Sequence, residues 1–232
     1  MQLRQILFSQ GFGSRRECDA LIRAGLVQLD GRIADDPHGE FATQALEFMV
    51  RGQAWAYQAK ALLMLNKPAG YECSRQPRHH PSVLSLLPAP LRTRGVQPVG
   101  RLDADTTGLL LLSDDGALIH QLTSPKWHVP KVYVAECAAA VTPAQVEQLL
   151  HGVVLHDDPR PVRAAACEAV GERAVRLTLT EGKYHQVKRM LAAVGNRVLA
   201  LQRVRFGELD LPAELPPAQW RWVERSAVAP WL

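Results

Sequence analysis

A polar loop followed by an apolar run is the feature that most constrains how this chain can fold. Residues 100–107 carry Arg101, Asp103 and Asp105, and residues 108–113 read Gly-Leu-Leu-Leu-Leu-Ser. This run is too apolar to have a water-facing side, so it predicts a short strand buried on both faces. Because a buried strand anchors the loop before it, we expect these charged side chains to be held rigidly, as reactive groups need to be.

Composition sets only broad limits on function. The 232 residues are 47% hydrophobic and 22% charged, which suits one large or two modest globular domains. Apolar runs of membrane-spanning length and the apolar core of a signal peptide are both missing. Four cysteines without a CxxC pair fit neither a zinc site nor a disulfide framework, so we expect a cytoplasmic protein away from membranes. A pI near 9.0 permits a polyanionic partner without requiring one.

The first sixty residues predict two helices followed by a hairpin. Apolar residues recur at helical spacing from Leu3 to Phe8, and Ser14 with Glu17 forms a capping box for a second helix. Asp30-Gly31 then separates two short alternating runs, which is a strong hairpin signal. A mixed polar and aromatic stretch at 53–60 follows, and we place the domain boundary there.

This unit resembles an S4 RNA-binding domain in Gly-Phe-Gly-Ser-Arg-Arg-Glu-Cys at 11–18 and Leu-Ile-Arg-Ala-Gly-Leu-Val at 21–27. The resemblance implies that Arg15, Arg16 and Arg23 bind structured RNA, mostly through phosphates. The alternative is that these arginines only solvate one helix face. Residues 1–60 hold seven Lys/Arg and seven Asp/Glu, so any RNA contact must come from a local patch.

The rest of the chain predicts an α+β domain. A strand from Ala61 to Leu65 leads into the turn Asn66-Lys67-Pro68-Ala69-Gly70. Residues 131–137 alternate as a strand that places Lys131 and Tyr133 on one face, and residues 174–180 alternate likewise. An amphipathic helix follows through Val187 and ends at Gly195. We therefore expect two domains, 1–58 and 61–232.

Three stretches together resemble motifs of the S4-domain-containing rRNA pseudouridine synthases. They are Leu-Asn-Lys-Pro-Ala-Gly-Tyr at 65–71, Gly-Arg-Leu-Asp-Ala-Asp-Thr-Thr-Gly-Leu at 100–109 and Glu-Gly-Lys-Tyr-His-Gln-Val-Lys-Arg-Met at 181–190. Lys-Val-Tyr at 131–133 stands between the second and third, as the family requires. The resemblance covers essentially the whole chain. It implies a small S4-like α/β domain, then a catalytic domain on a mixed, largely antiparallel sheet with flanking helices.

The resemblance implies an enzyme that isomerises uridine in RNA without cofactor or metal. Its catalytic carboxylate is Asp103, ionised in a site that excludes water. A buried carboxylate needs a fixed cation, which the third motif supplies as Lys188, where many relatives carry arginine; Arg189 is the rival. Tyr133 would lie against the target base and relay a proton from C5, and Leu179 would pack on the other side of the base.

Other residues are expected to bind RNA or shape the loop. The enzyme must unstack the uridine, and Arg101 is placed to occupy the vacated space. Lys67 would position the Arg101–Asp103 loop, unless it is a solvated lysine at a strand end. Lys183 makes the third motif more cationic and would contact RNA, as would Arg189. Asp105 is expected to stabilise the turn rather than take part in the chemistry.

The small-subunit (16S) type of this family fits the chain best, because Tyr184-His185 stands where large-subunit relatives tend to have Asn-Arg. The expected partner is therefore ribosomal RNA, free or in a partly assembled particle, and the expected oligomeric state is a monomer. Large-subunit rRNA or tRNA is the alternative substrate. A catalytically silent ribosome-assembly factor is the alternative class. A metal-dependent phosphatase using Asp103, Asp105, Asp114 and Asp115 is disfavoured, since strand rise places the last two roughly 15–20 Å beyond Asp105.

Overall fold

The computed structural model describes residues 1–156 and 158–231, which form two compact units. The first unit comprises Met1–Ala61 and Leu87–Gln97, and the second comprises Leu62–Leu86 and the chain from Pro98 onward. Residues 87–97 thus cluster with the first unit, although the sequence placed them in the second domain. Across the described residues, helices are too short or too polar to cross a bilayer.

The first unit is two helices on a four-stranded sheet. Helices α1 (Leu3–Ser9) and α2 (Arg15–Arg23) precede strands β1 (Val27–Leu29), β2 (Arg32–Ile33), β3 (Glu47–Val50) and β4 (Gln53–Ala56), in the order β2-β1-β3-β4. The predicted capping box of α2 is confirmed, since Ser14 accepts from the Glu17 amide and Glu17 accepts from the Ser14 amide. The predicted turn is confirmed by positive φ angles at Asp30 (47°) and Gly31 (74°).

A buried glutamine explains why residues 87–97 join this unit. Gln10 is fully buried, and its side-chain oxygen accepts from the Gln58 amide at 3.0 Å and from Arg94 Nη1 at 2.8 Å. Arg94 follows the short helix α3 (Ala89–Thr93), whose Leu91 is also fully buried. A buried amide requires such partners, and one of them lies more than eighty residues away in sequence.

The second unit is built on one large sheet. Its elements and the short strand that leads into it are β5 (Leu62–Lys67), β6 (Gln97–Pro98), β7 (Thr107–Ser113), α4 (Gly116–Thr123), β8 (Lys131–Cys137), α5 (Pro143–His151), β9 (Val153–Leu155), β10 (Asp158–Val162), β11 (Ala166–Gly171), β12 (Ala174–Leu179), α6 (Gln186–Ala193), β13 (Val198–Phe206), β14 (Leu209–Asp210) and β15 (Trp220–Trp222). Short 3₁₀ turns lie at Val83–Leu86, Pro125–Trp127 and Arg225–Trp231.

The main sheet has the order β11-β12-β8-β13-β7-β5-β15. Pairs along this order are antiparallel except β13 with β7, which is parallel, so the predicted mixed and largely antiparallel sheet is confirmed. Strand β7 is central and buried from Gly108 to Ser113, as its apolar run predicts. Gly108 has φ of 98°, and a Cβ there would collide with the backbone oxygen of Arg203 on β13.

Helix α6 is fixed by its apolar face. Val187, Met190 and Leu191 pack with the inward side chains of β12, including Leu177 and Leu179. The basic residues Lys188 and Arg189 lie off this apolar face and are half-buried. Because α6 begins at Gln186, inside the third motif, and carries Lys188, this packing sets where Lys188 can reach.

Candidate active site

The loop before β7 is held from below by a buried lysine. Lys67, at the end of β5, is fully buried and its Nζ donates to the backbone oxygens of Thr106 (2.8 Å), Pro68 (3.0 Å) and Ala104 (3.1 Å). Burial lowers the pKa of Lys67, and the nearby negative charges of Asp105 and Asp103 oppose that change. The expected alternative of a solvated lysine is therefore wrong, because this ammonium is an internal support for the loop.

Asp103 lies between two side chains from the third motif. Its Oδ2 is 3.5 Å from Lys188 Nζ, and its Oδ1 is 3.4 Å from His185 Nε2. The side chain of Asp103 is 30% exposed to solvent. The expectation of a dry carboxylate is therefore wrong for this structure, in which Asp103 stays partly open to solvent.

Lys188 contacts Asp105 more closely than Asp103. Its Nζ donates to both Asp105 oxygens, at 2.7 and 2.8 Å, and this hydrogen bond is the main reason why the pKa of Asp105 is lowered. Asp105 is 72% exposed, so the pair is worth little to stability. The sequence did not indicate this ion pair, through which Asp105 holds the ammonium that faces Asp103.

The third motif turns sharply into α6. His185 adopts a left-handed conformation (φ 47°) and stacks on the ring of Tyr184 at 3.8 Å between centroids. Arg189 Nη1 donates to the Tyr184 backbone oxygen at 3.0 Å, so Arg189 supports this turn and Lys188 is the residue that reaches Asp103. The sequence indicated His185 only as a mark of the small-subunit type, although its position within the third motif, three residues before Lys188, was a usable signal.

Two cavities open at this point. A small one of about 90 Å³ is lined by Asp103, Tyr133 and Leu179, together with Arg101 and Lys183. A larger cleft of about 900 Å³ shares Asp103, Tyr133, Arg101 and Lys183 and reaches the 180–185 segment. Leu179 is buried and Arg101 is exposed. The structure thus brings Arg101, Asp103 and Lys183 of the second and third motifs to one cleft, and Lys188 lies 3.5 Å from Asp103.

The predicted RNA-binding arginines belong to the first unit. Arg15, Arg16 and Arg23 are exposed on or at the end of α2. The guanidinium of Arg15 lies over the ring of Phe8, 5.4 Å from its centroid, and Phe8 is itself exposed. Exposed cations beside an exposed aromatic ring form a surface to which RNA phosphates and bases can bind.

The cleft combines an ionisable carboxylate, a fixed cation and an aromatic hydroxyl. Such a set can bring a carboxylate against a sugar or a base and can move a proton through the hydroxyl of Tyr133. Ligand clefts in proteins typically measure about 300–1,000 Å³, so the larger cleft can admit one extruded nucleotide.

Comparison with known proteins agrees with this arrangement. The family model described as RNA pseudouridylate synthase matches residues 61–193, and the S4 domain model matches residues 1–38. Two curated relatives carry the name ribosomal small subunit pseudouridine synthase A. The Escherichia coli (strain K12) protein is 38% identical over 99% of this chain and 99% of its own, and the Yersinia pestis protein is 42% identical over 99% and 97%. A crystal structure of a pseudouridylate synthase covers 100% of both chains, with a TM-score of 0.71 and 31% identity.

Proposed function

Because this chain belongs to the RNA pseudouridylate synthase family, we propose that it converts one uridine of small-subunit ribosomal RNA into pseudouridine. The enzyme class follows from the family. The small-subunit target rests on the names of relatives that match this chain from end to end, and on Tyr184-His185 in the third motif. The described cysteines are all free thiols, which suits a reducing cytoplasm as the place of action.

The proposed reaction is an isomerisation within one nucleotide. The bond between uracil N1 and the sugar C1′ breaks, the base rotates, and a bond forms between C5 and the same C1′. The proton on C5 leaves and N1 ends with a proton, so atoms and charge balance without a second substrate. We assign the essential carboxylate to Asp103 and the proton relay from C5 to Tyr133, whose side chain lines the same cleft.

The position of Asp103 is the observation that supports this assignment most directly. Its carboxylate faces Lys188 at 3.5 Å, and Tyr133 and Leu179 line the same small cavity. Lys188 places a positive charge beside this carboxylate, which partly balances its negative charge when RNA displaces water. Leu179 supplies an apolar wall against which a uracil ring can pack.

Two further groups prepare the RNA. Extruding a base costs a few kcal/mol, and less from a loop than from a helix. Arg101 is exposed at the rim of the cleft, and we propose that it fills the space the uridine leaves. We propose that residues 1–58 form the RNA-docking domain and residues 61–232 the catalytic domain, with Arg15, Arg16 and Arg23 on phosphates.

The decisive experiment maps pseudouridine after incubation with purified RNA. Small-subunit rRNA, large-subunit rRNA and bulk tRNA, together with a partly assembled small-subunit particle, are each treated with the enzyme. Pseudouridine is then marked chemically and located by stops in reverse transcription. We expect one new stop, in small-subunit rRNA or in the particle. A stop confined to large-subunit rRNA or tRNA would refute the substrate.

The role of Asp103 is tested with two matched substitutions. Asp103→Asn removes the charge with little change in shape, and we expect it to lower kcat by on the order of 10³-fold or more. Asp210→Asn makes the same change on β14, where the carboxylate is exposed and bound to Arg205 at 2.7 Å, and we expect ordinary activity. Full activity of Asp103→Asn would refute the mechanism, and complete inactivity of the wild type would favour an assembly factor.

A further inference from the structure

Two cations lie against one aromatic ring in the wall of the large cleft. Arg203 Cζ is 5.2 Å and Lys131 Nζ is 5.4 Å from the centroid of the Phe206 ring. Arg203 is only 2% exposed and Lys131 is half-buried, and both line the cleft of about 900 Å³. Charged side chains are rarely buried in this way unless they are paired.

Among the described residues, neither cation has a carboxylate partner. Arg203 Nε donates to the Leu109 backbone oxygen at 2.7 Å, while its buried Nη2 has no hydrogen-bond partner among the described residues. Lys131 donates to the Val129 backbone oxygen at 2.9 Å. In the part of the chain that the structure describes, neither residue forms an ion pair with a carboxylate. The pocket wall therefore carries two partly desolvated positive charges that no carboxylate of the described residues balances.

We propose that Lys131 and Arg203 form a subsite for a phosphodiester of the RNA strand, next to the uridine that reacts. The proposal rests on the proposed function, because it identifies the bound strand as the substrate. Lys131 contacts the phosphate directly, since its ammonium is the more accessible of the two. Arg203 contributes its positive charge from its buried position in the cleft wall. The ring of Phe206 keeps both cations in place.

The strand register places this subsite beside the base. Arg203 pairs with Tyr133 across β13 and β8, and Lys131 pairs with Leu179 across β8 and β12. Directly paired residues have Cβ atoms about 4.5–5.5 Å apart. Tyr133 and Leu179 are the residues assigned to the uracil, so a phosphate at Lys131 belongs to the target nucleotide or its immediate neighbour.

The surroundings of Lys131 favour the binding of an anion. Burial and the positive charge of Arg203 lower the pKa of Lys131 to about 8. A bound phosphate would oppose both effects and return the lysine to its charged form.

The test measures RNA affinity at several salt concentrations. Full-length Asp103→Asn protein binds small-subunit rRNA without turnover, alone and combined with Lys131→Met. Each phosphate contact contributes about 0.7 to 0.9 to the slope of log K against log salt, so we expect the slope to fall by about that amount. In the active enzyme, Lys131→Met should raise KM by about tenfold with kcat little changed, and Lys131→Arg should restore KM.

A matched control removes a positive charge elsewhere on the same sheet. Arg176 alternates with the buried residues of β12 and its Nη1 lies 3.1 Å from Glu168, so Arg176→Met should leave the slope unchanged. An unchanged slope in the Lys131→Met protein, or an equal fall in the control, would overturn the subsite. Binding is read without catalysis, so this failure is distinct from a wild type that forms no pseudouridine.

A second experiment tests whether the subsite binds free inorganic phosphate rather than a phosphodiester of RNA. Inorganic phosphate is titrated into the wild type while its ³¹P line width is followed, and we expect no saturable binding at millimolar concentrations. Saturable binding that Lys131→Met abolishes would assign the subsite to free phosphate and overturn the assignment to RNA.

Discussion

Replacing Lys131 with methionine should make the protein more stable. Methionine keeps an unbranched apolar side chain against Phe206 and removes the ammonium. Burial together with Arg203 lowers the pKa of Lys131 from 10.5 to about 8. That difference corresponds to about 3 kcal/mol by which folding disfavours the charged form. The hydrogen bond to the Val129 oxygen is lost in the variant, which costs about 1 kcal/mol, so we expect a net gain of about 2 kcal/mol at pH 7.

The gain should depend on pH in a definite direction. The folded-state pKa of Lys131 is lowered, so between pH 8 and 10.5 the unfolded chain binds more protons than the folded protein. Wild-type stability therefore rises with pH across this window. The full penalty applies below pH 8 and disappears above pH 10.5. By this linkage the difference between variant and wild type shrinks by about 2 kcal/mol between pH 7 and pH 9.5.

Urea unfolding followed by tryptophan fluorescence measures this effect. Four of the five tryptophans, at 127, 220, 222 and 231, lie in the second unit with Lys131. The midpoint of unfolding should be higher for Lys131→Met at pH 7, with an unchanged slope, and the two proteins should converge at pH 9.5. A destabilised variant, or a difference independent of pH, would refute the view that this lysine is held at a cost to folding.

Substitutions at three other positions test the site and its supports. Lys67→Met should lower the free energy of unfolding by about 3 kcal/mol or more, because three backbone oxygens lose a charged donor; urea unfolding measures this, and an undisturbed protein would contradict the role of Lys67. Lys188→Met should lower kcat on the order of 10²-fold, whereas Lys188→Arg, which can still reach Asp103, should stay active; equal rates for both in single-turnover assays would refute the pairing. Gln10→Leu should destabilise the first unit by about 1–3 kcal/mol, and unchanged amide hydrogen exchange in α1 would contradict this.

Local chemistry made much of the fold predictable from sequence. The capping box at Ser14 and Glu17, the turn at Asp30-Gly31 and strand Lys131–Cys137 all formed as expected, because each depends on residues a few positions apart. Residues 87–97 could not be assigned in this way. They join the first unit through Gln10 and Arg94, a contact between residues that no local pattern connects.

In the site, too, features set by nearby residues were predictable from the sequence, whereas contacts between distant residues were not. The motifs predicted Asp103 as the essential carboxylate and left Lys188 and Arg189 as its possible partners. Only the structure, in which Arg189 binds the Tyr184 backbone oxygen, shows that Lys188 reaches Asp103. Asp105 was assigned to the turn because Asp is common in turns, whereas the structure places it on Lys188. Arg203 carried no signal, since an arginine in a strand that also carries Gln202 and Arg205 is normally expected to point to solvent.

The ammonium of Lys67 gives the Asp103 loop its shape before any nucleic acid arrives. Its three hydrogen bonds to backbone oxygens form when β5 and β7 come together. The conformational entropy of the Asp103 loop is therefore lost during folding. Binding of RNA then does not have to supply the free energy of ordering this loop. Directed evolution toward a new target should then succeed at residues that reach into the cleft from outside, and should fail wherever it loosens this internal tether.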